Sequence, residues 1–170
     1  MAGELRPQLF CIIFYSVSNM KREILFRGKR VDNGEWIYGR GLQQCKDELG
    51  NEIVAIFEDV VKSEKYIKKE GRYILYYVPV NPETFGQYTG RKDKNGKNIF
   101  EEDFVRFSYI IDGIEIECLA KVVFEDGSFM IKCVKGHVHN SMQRALFAMD
   151  YFNIKVEVVG NITDNPELMK

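Results

Sequence analysis

The sequence predicts a mainly-β protein with one or two short helices, and three observations carry that prediction. Aromatic and β-branched residues recur in short runs with period two, the spacing that lines one face of a pleated strand. Compact turn elements stand between the runs: Asp32-Asn33-Gly34, Asp93-Lys94-Asn95-Gly96, Asp112-Gly113 and Glu125-Asp126-Gly127. Only two stretches depart from this rhythm toward helical spacing.

In chain order, Ile24, Phe26 and Val31 lead into the Asn-Gly hairpin turn at Asp32-Asn33-Gly34, and "EWIYG" begins the next strand. "NEIVAIF" (51–57) and "RYILYYVPV" (72–80) read as further strands, the second so apolar that both of its faces are covered. Between them, "EDVVKSEKYIKKEG" predicts a helix over about residues 58–70, with Val60, Val61 and Ile67 inward and Gly71 as its stop. Asn81-Pro82-Glu83 then punctuates the chain. A hairpin follows at 89–104, its tip Asp93-Lys94-Asn95-Gly96 having the chemistry of a type I turn closed by a glycine bulge.

"FVRFSYII", "IEIECLAKVVF" and "SFMIKCV" form a three-stranded meander, in which Ile114, Ile116, Cys118, Ala120, Val122 and Phe124 alternate onto one core face. Asn140 offers an N-cap to "SMQRALFAMD", so a core-facing helix is expected over about 140–150 through Met142, Ala145, Leu146 and Met149. "KVEVVGNI" returns to a strand, and "TDNPELMK" leaves it through an Asn-Pro turn into a loose terminus.

At 170 residues the chain suits one domain or two small subdomains. Its 24 basic and 25 acidic residues nearly cancel, so no whole-chain field argues for nucleic acid, a membrane or acidic partners. The local distribution is uneven. Lys21 to Arg30 holds five basic residues and one acid, whereas Glu101 to Asp126 holds eight acids opposed by Arg106 and Lys121. Cys11, Cys45, Cys118 and Cys133 are scattered, which suits reduced thiols in a cytoplasmic protein better than a disulfide framework. Nothing in the chain reads as a membrane span. The run "LFCIIFYSV" (9–17) is only a weak secretory core, and Met20 opens a polar-alternating start, so residues 1–19 read as an extension or leader from an upstream start.

Candidate chemistry is sparse. The stretch 89–104 resembles a phosphate loop, but five residues separate Gly90 from Gly96 and Asn98 replaces the hydroxyl that would hold magnesium. As a calcium loop starting at Asp93, it meets Lys97, Asn98 and Phe104 where ligands or glycine belong. Cys118, Cys133, His137 and His139 are soft ligands at a spacing no standard zinc site uses, and both cysteines lie in apolar runs, so core and loop roles are expected and no metal. Glu101 and Asp103 would share one side of an extended chain and offer an acid pair, although acids at a turn more often cap or face water. No nucleophile-base set, nucleotide fingerprint or metalloprotease motif is present, which points away from an enzyme. Arg91, Lys92, Lys94 and Lys97 on the hairpin, with Tyr88, Phe100 and Phe107 nearby, are the candidate contacts for an anion or nucleic acid.

"ETFGQYTGRKDKNGKNIFEEDFVRF" (83–107), "VEVVGNITDNPELMK" (156–170) and "REILFRGKR" (22–30) are similar to the central, closing and opening motifs of the YopX family. The resemblance implies a domain over 20–170: an N-terminal β part, 20–82, carrying the helical insertion, and a part over 83–170 with a coiled, SH3-like barrel. It implies a bacteriophage or prophage origin, and no activity, cofactor or catalytic residue comes with it. One position departs: the family places Gly before the Asp that opens its next strand, and here Glu102 stands there. The chain is accordingly expected to be a non-enzymatic cytoplasmic binding module for a host or phage protein, or a homo-oligomer, with nucleic acid at the 91–97 hairpin as the alternative.

Overall fold

The computed structural model describes residues 23–58, 68–69, 72–73, 77–136, 146, 149 and 153–170. Its strands are β1 Phe26–Lys29, β2 Trp36–Lys46, β3 Glu52–Glu58, β4 Lys68–Lys69, β5 Arg72–Tyr73, β6 Tyr77–Val80, β7 Gly86–Lys92, β8 Asn98–Phe100, β9 Asp103–Ile111, β10 Ile114–Glu125, β11 Ser128–Lys135 and β12 Glu157–Asn161. They form a six-stranded sheet in the order β6-β3-β2-β1-β7-β8, a four-stranded sheet in the order β11-β10-β9-β12, and the separate pair β4-β5. The protein is mainly β.

The first sheet coils. Gly39 and Gly41 sit at a register shift between β2 and β3, where a Cβ on Gly39 would stand 1.9 Å from the Phe57 carbonyl oxygen. Only glycine allows the strands so close, and the bulge bends β2. The sheet then rolls until Asn81 N reaches Lys29 O (2.8 Å) and Val31 N reaches Pro79 O (3.1 Å), around a core of Ile37, Val54, Ile56 and Val80. Phe26 and Phe85 stack beside that core at 5.5 Å between rings.

The expected SH3-like barrel in the C-terminal half is replaced by an open sheet, and no barrel closes among the described residues. The edges explain why. The tip of the β7–β8 hairpin meets the chain at the start of β12, where Lys94 N donates to Val156 O (2.9 Å) and Val158 N donates to Asp93 Oδ2 (3.0 Å), and β11 is met by Leu146, whose N donates to Phe129 O (2.7 Å). Each edge is capped by another segment before the two can meet. The alternation read along β10 holds at its centre, where Cys118, Ala120 and Val122 are buried, while Ile114 and Phe124 run past the core into solvent.

The regular helical elements among the described residues are the 3-10 turns Pro82–Thr84 and Pro166–Met169. Most of the helix expected over 58–70 lies outside the described residues, but its last turn is strand: Lys68 pairs with Tyr73 and Lys69 with Arg72 across a two-residue Glu-Gly connection. Two short paired strands thus flank Gly71, the expected stop of the helix. Residues 74–76 of the expected 72–80 strand lie outside the described residues, as does most of the 140–150 helix. Leu146 and Met149, two of its predicted inward positions, are buried in the second core. Residues 1–19 also fall outside.

Candidate functional site

The hairpin tip forms as its residue types dictate. Gly96 N donates to Asp93 O (3.0 Å), Asp93 N to Lys97 O (2.8 Å), and Gly96 takes the left-handed φ of +82° that closes the bulge. Asp93 Oδ1 accepts from the backbone N of Asn95 and of Lys97, each at 2.8 Å, while its Oδ2 accepts from Val158 N at 3.0 Å. Burial alone would raise this carboxyl, and the three N–H donors outweigh that effect and lower it. The turn is therefore a dock between the sheets. Ile99 of β8, in the first sheet, completes the joint by packing into the second core.

The structure separates the four basic candidates. Lys94 Nζ lies 2.7 Å from Glu157 Oε2, so it completes the dock. Lys92 and Lys97 are exposed, and Arg91 is half-buried beside the β10–β11 turn.

A second joint lies deeper. Arg27 of β1 and Asp103 of β9 are 6% and 1% exposed, and Arg27 Nη2 stands 2.7 Å from Asp103 Oδ1. That contact is off the direction a hydrogen bond needs, and Arg27 Nε finds no acceptor, so charge and position hold the pair. Asp103 Oδ2 accepts from Phe100 N at 2.8 Å, and Arg27 Nη2 donates to Glu101 O at 3.1 Å. The guanidinium also lies 4.9 Å from the Trp36 ring and 4.8 Å from the Phe100 ring. Burial pushes the Asp103 carboxyl up despite Arg27.

The C-terminal segment supplies a third joint. Asp164 binds Lys29 Nζ at 2.6 Å and accepts from Trp36 Nε1 at 2.8 Å and Asn161 Nδ2 at 2.9 Å. Burial would raise its carboxyl, but these partners bring it down to about 2. The terminus expected to be loose is thereby anchored to the first sheet.

The acid pair Glu101 and Asp103 is not presented as an extended chain would present it. Glu102 turns between them at φ +67°, its N donating to Val122 O (2.9 Å) and its carboxylate pairing with Lys121 Nζ at 2.9 Å. Burial pushes Glu101 up, while Asp103 is committed to Arg27. Cys118 is buried and its thiol is raised by that burial; Cys133 is half-buried; His137 and His139 lie outside the described residues. Among the described residues, no group of three or more His, Cys, Asp or Glu is placed to hold a metal.

Two further features were not singled out by motif. The β9–β10 hairpin outruns its neighbours: β12 pairs with β9 only from Asp103 to Arg106, and β11 with β10 only from Leu119 to Glu125. Beyond those points the strands pair with each other as far as Ile111 and Ile114. On this ribbon Ile110 and Ile114 are 73% and 67% exposed, and Asp112, Glu115 and Glu117 are exposed with no basic partner among the described residues. The other feature is a cleft of about 380 Å³ between β7 and the β10–β11 turn, lined by Thr89, Gly90, Arg91, Phe124, Gly127, Ser128, Phe129 and Leu146. Arg27, Trp36 and Asp164 were also missed. Asp103 carried a usable signal, since it shares the parity of Val105, Phe107 and Tyr109, which are all buried.

Comparisons with known proteins agree with this architecture. The crystal structure of protein EF1440 from Enterococcus faecalis is similar to this chain at 22% identity and a TM-score of 0.51, covering 86% of this chain and 98% of that one. At that identity the likeness concerns the fold alone. No curated protein matches the sequence. Among the described residues no helix is long and apolar enough to cross a membrane. The family model described as YopX protein matches residues 25–170, which span all three joints, the ribbon and the cleft, and the chain therefore belongs to the YopX family.

Proposed function

We propose that this is a non-enzymatic binding module of phage or prophage origin, working in the host cytoplasm, whose β9–β10 ribbon takes up an extended segment of a partner protein. The carrying observation is that β12 pairs with β9 only as far as Arg106 while β9 and β10 pair on to Ile111 and Ile114, so that the outer edge of this stretch of β9 meets no further strand among the described residues. An unpaired strand edge is a template for a further strand. Exposed Ile110 gives that strand an apolar anchor, and Glu115 and Glu117, which share the Ile110 face across the β9–β10 register, favour Lys or Arg on that side, while Ile114 is exposed on the opposite face. Asp93, Lys94 and Asp103 of the central motif and Glu157 and Asp164 of the closing motif are committed to the joints between sheets, which supports a scaffold role for these five residues.

The test is a displayed library of extended peptides panned against the whole chain. Enriched peptides should alternate apolar residues with Lys or Arg, and should lose binding to the double variant Ile110→Lys/Ile114→Lys while retaining it with Lys92→Ala/Lys97→Ala. No enrichment, or enriched peptides indifferent to the ribbon variant, contradicts the proposal.

A further inference from the structure

We infer that Asn95-Gly96, at the tip of the β7–β8 hairpin, is a site of spontaneous deamidation by water, and that its isoaspartyl product opens the dock between the two sheets. This modification does not rest on the ribbon and stands or falls apart from it. Asparagine before glycine is the pair most prone to the reaction, because a residue without a Cβ leaves its backbone nitrogen open to the neighbouring carboxamide. The Gly96 nitrogen loses its proton to water and attacks Asn95 Cγ. A C–N bond forms, the Cγ–Nδ2 bond breaks, and Nδ2 leaves as ammonia with a proton from solvent. Water then opens the resulting succinimide at either carbonyl, giving an aspartyl product or an isoaspartyl one whose main chain runs through Cβ and Cγ.

The sequence holds two such pairs, Asn33-Gly34 and Asn95-Gly96, and both asparagines are exposed. Their nucleophiles are held alike, since Gly34 N donates to Arg30 O and Gly96 N to Asp93 O, each at 3.0 Å. Their carboxamides are not. Asn33 is held at both ends, with Nδ2 donating to Glu35 Oε2 at 2.9 Å and Oδ1 accepting from Glu35 N at 3.0 Å. Asn95 is held at one end only, by a long contact from Nδ2 to Glu157 Oε1 at 3.4 Å. Its Cγ can therefore swing onto Gly96 N for the loss of one weak bond, in a turn so open that a Cβ on Gly96 would meet nothing within 4 Å.

The consequence follows from what spans the isomerised bond. Gly96 N donates to Asp93 O (3.0 Å), Asp93 N to Lys97 O (2.8 Å) and Lys97 N to Asp93 Oδ1 (2.8 Å). An extra main-chain atom between Asn95 and Gly96 cannot keep all three, because loop length fixes the register of a hairpin. Asp93 is the residue they hold in place, and its Oδ2 receives Val158 N from the second sheet.

The full chain is incubated at mildly alkaline pH, in buffer and in concentrated urea, and peptide mapping by mass spectrometry follows amide-to-acid conversion at each pair. In buffer Asn95 should convert about fivefold faster than Asn33, the worth of about one ordinary hydrogen bond, and in urea the two rates should be comparable. Equal rates in buffer, faster conversion at Asn33, or an Asn95 that stays intact overturns the assignment of the site. The isoaspartyl form, separated by ion exchange, should unfold at lower urea than the parent and exchange its Val158 amide faster. The variant Asn95→Asp, which adds the charge without lengthening the chain, should stay close to the parent. An isoaspartyl form with the parent's midpoint, or a variant Asn95→Asp as unstable as that form, overturns the link to the dock.

Discussion

Removing Arg27 tests the joint between the two sheets. At an effective dielectric of about 20, unit charges about 4 Å apart attract by about 4 kcal/mol, and desolvation of both groups cancels much of this. The upward push of burial on Asp103, which outweighs the pull of Arg27, is the same balance seen from the carboxylate. The pair is then close to neutral overall, but either charge left alone is costly. Arg27→Met should destabilise by about 3 kcal/mol, and Asp103→Leu by a similar amount, because it also orphans Phe100 N. The double variant should recover more than half of the summed loss.

Urea denaturation followed by far-ultraviolet circular dichroism measures all four corners of the cycle, with the single tryptophan, Trp36, as a second probe. The pH dependence has a definite sign. A carboxyl whose folded pKa is raised contributes stability below its unfolded pKa and loses that contribution as pH rises through the folded value. The Arg27→Met deficit should therefore shrink as pH falls and Asp103 takes up a proton. A coupling under about 0.5 kcal/mol, with the single losses simply adding, would refute the reasoning.

Other outcomes follow from local geometry. Gly39→Ala should cost about 3 kcal/mol or more, since its Cβ would overlap a backbone oxygen that cannot move without breaking the β2–β3 ladder, and thermal unfolding reads this directly. Asp164, brought down to about 2, contributes stability above its unfolded pKa that disappears as pH falls from about 4 toward 2; its carboxylate is more than a third exposed, so solvent screening limits this to about 1 kcal/mol. Asp164→Asn should flatten the acid limb of the stability curve by that amount. At Glu102, Val should destabilise by about 2 kcal/mol, while Gly stays within about 0.5 kcal/mol of the parent as relieved strain offsets the lost Lys121 contact. Equal tolerance of Val and Gly in urea titrations would remove the strain account.

The sequence made the strands and turns legible because both signals are local. Asp93-Lys94-Asn95-Gly96 carries its own turn chemistry, and β10 its own alternation. The left-handed φ at Glu102 was readable from the departure from glycine in the family motif. Sheet closure was not readable, because it depends on what Lys94 and Leu146 do to distant strand edges. The clusters around Arg27 and Asp164 join positions 76 and 135 residues apart, Arg27 with Asp103 and Lys29 with Asp164, a separation no spacing rule spans. The ribbon is invisible in sequence for a related reason: Ile110 and Ile114 look like core alternation until the lengths of the flanking strands are known.

The assignment of recognition to the ribbon is tested most directly by amide hydrogen exchange on the full chain, with and without a peptide selected against it. Slowed exchange confined to Phe107–Ile111 and the adjoining β10 residues is the predicted result, because an added strand closes that edge first. Protection falling instead on the 91–97 hairpin or the 124–129 turn, with the ribbon amides unchanged, would contradict it.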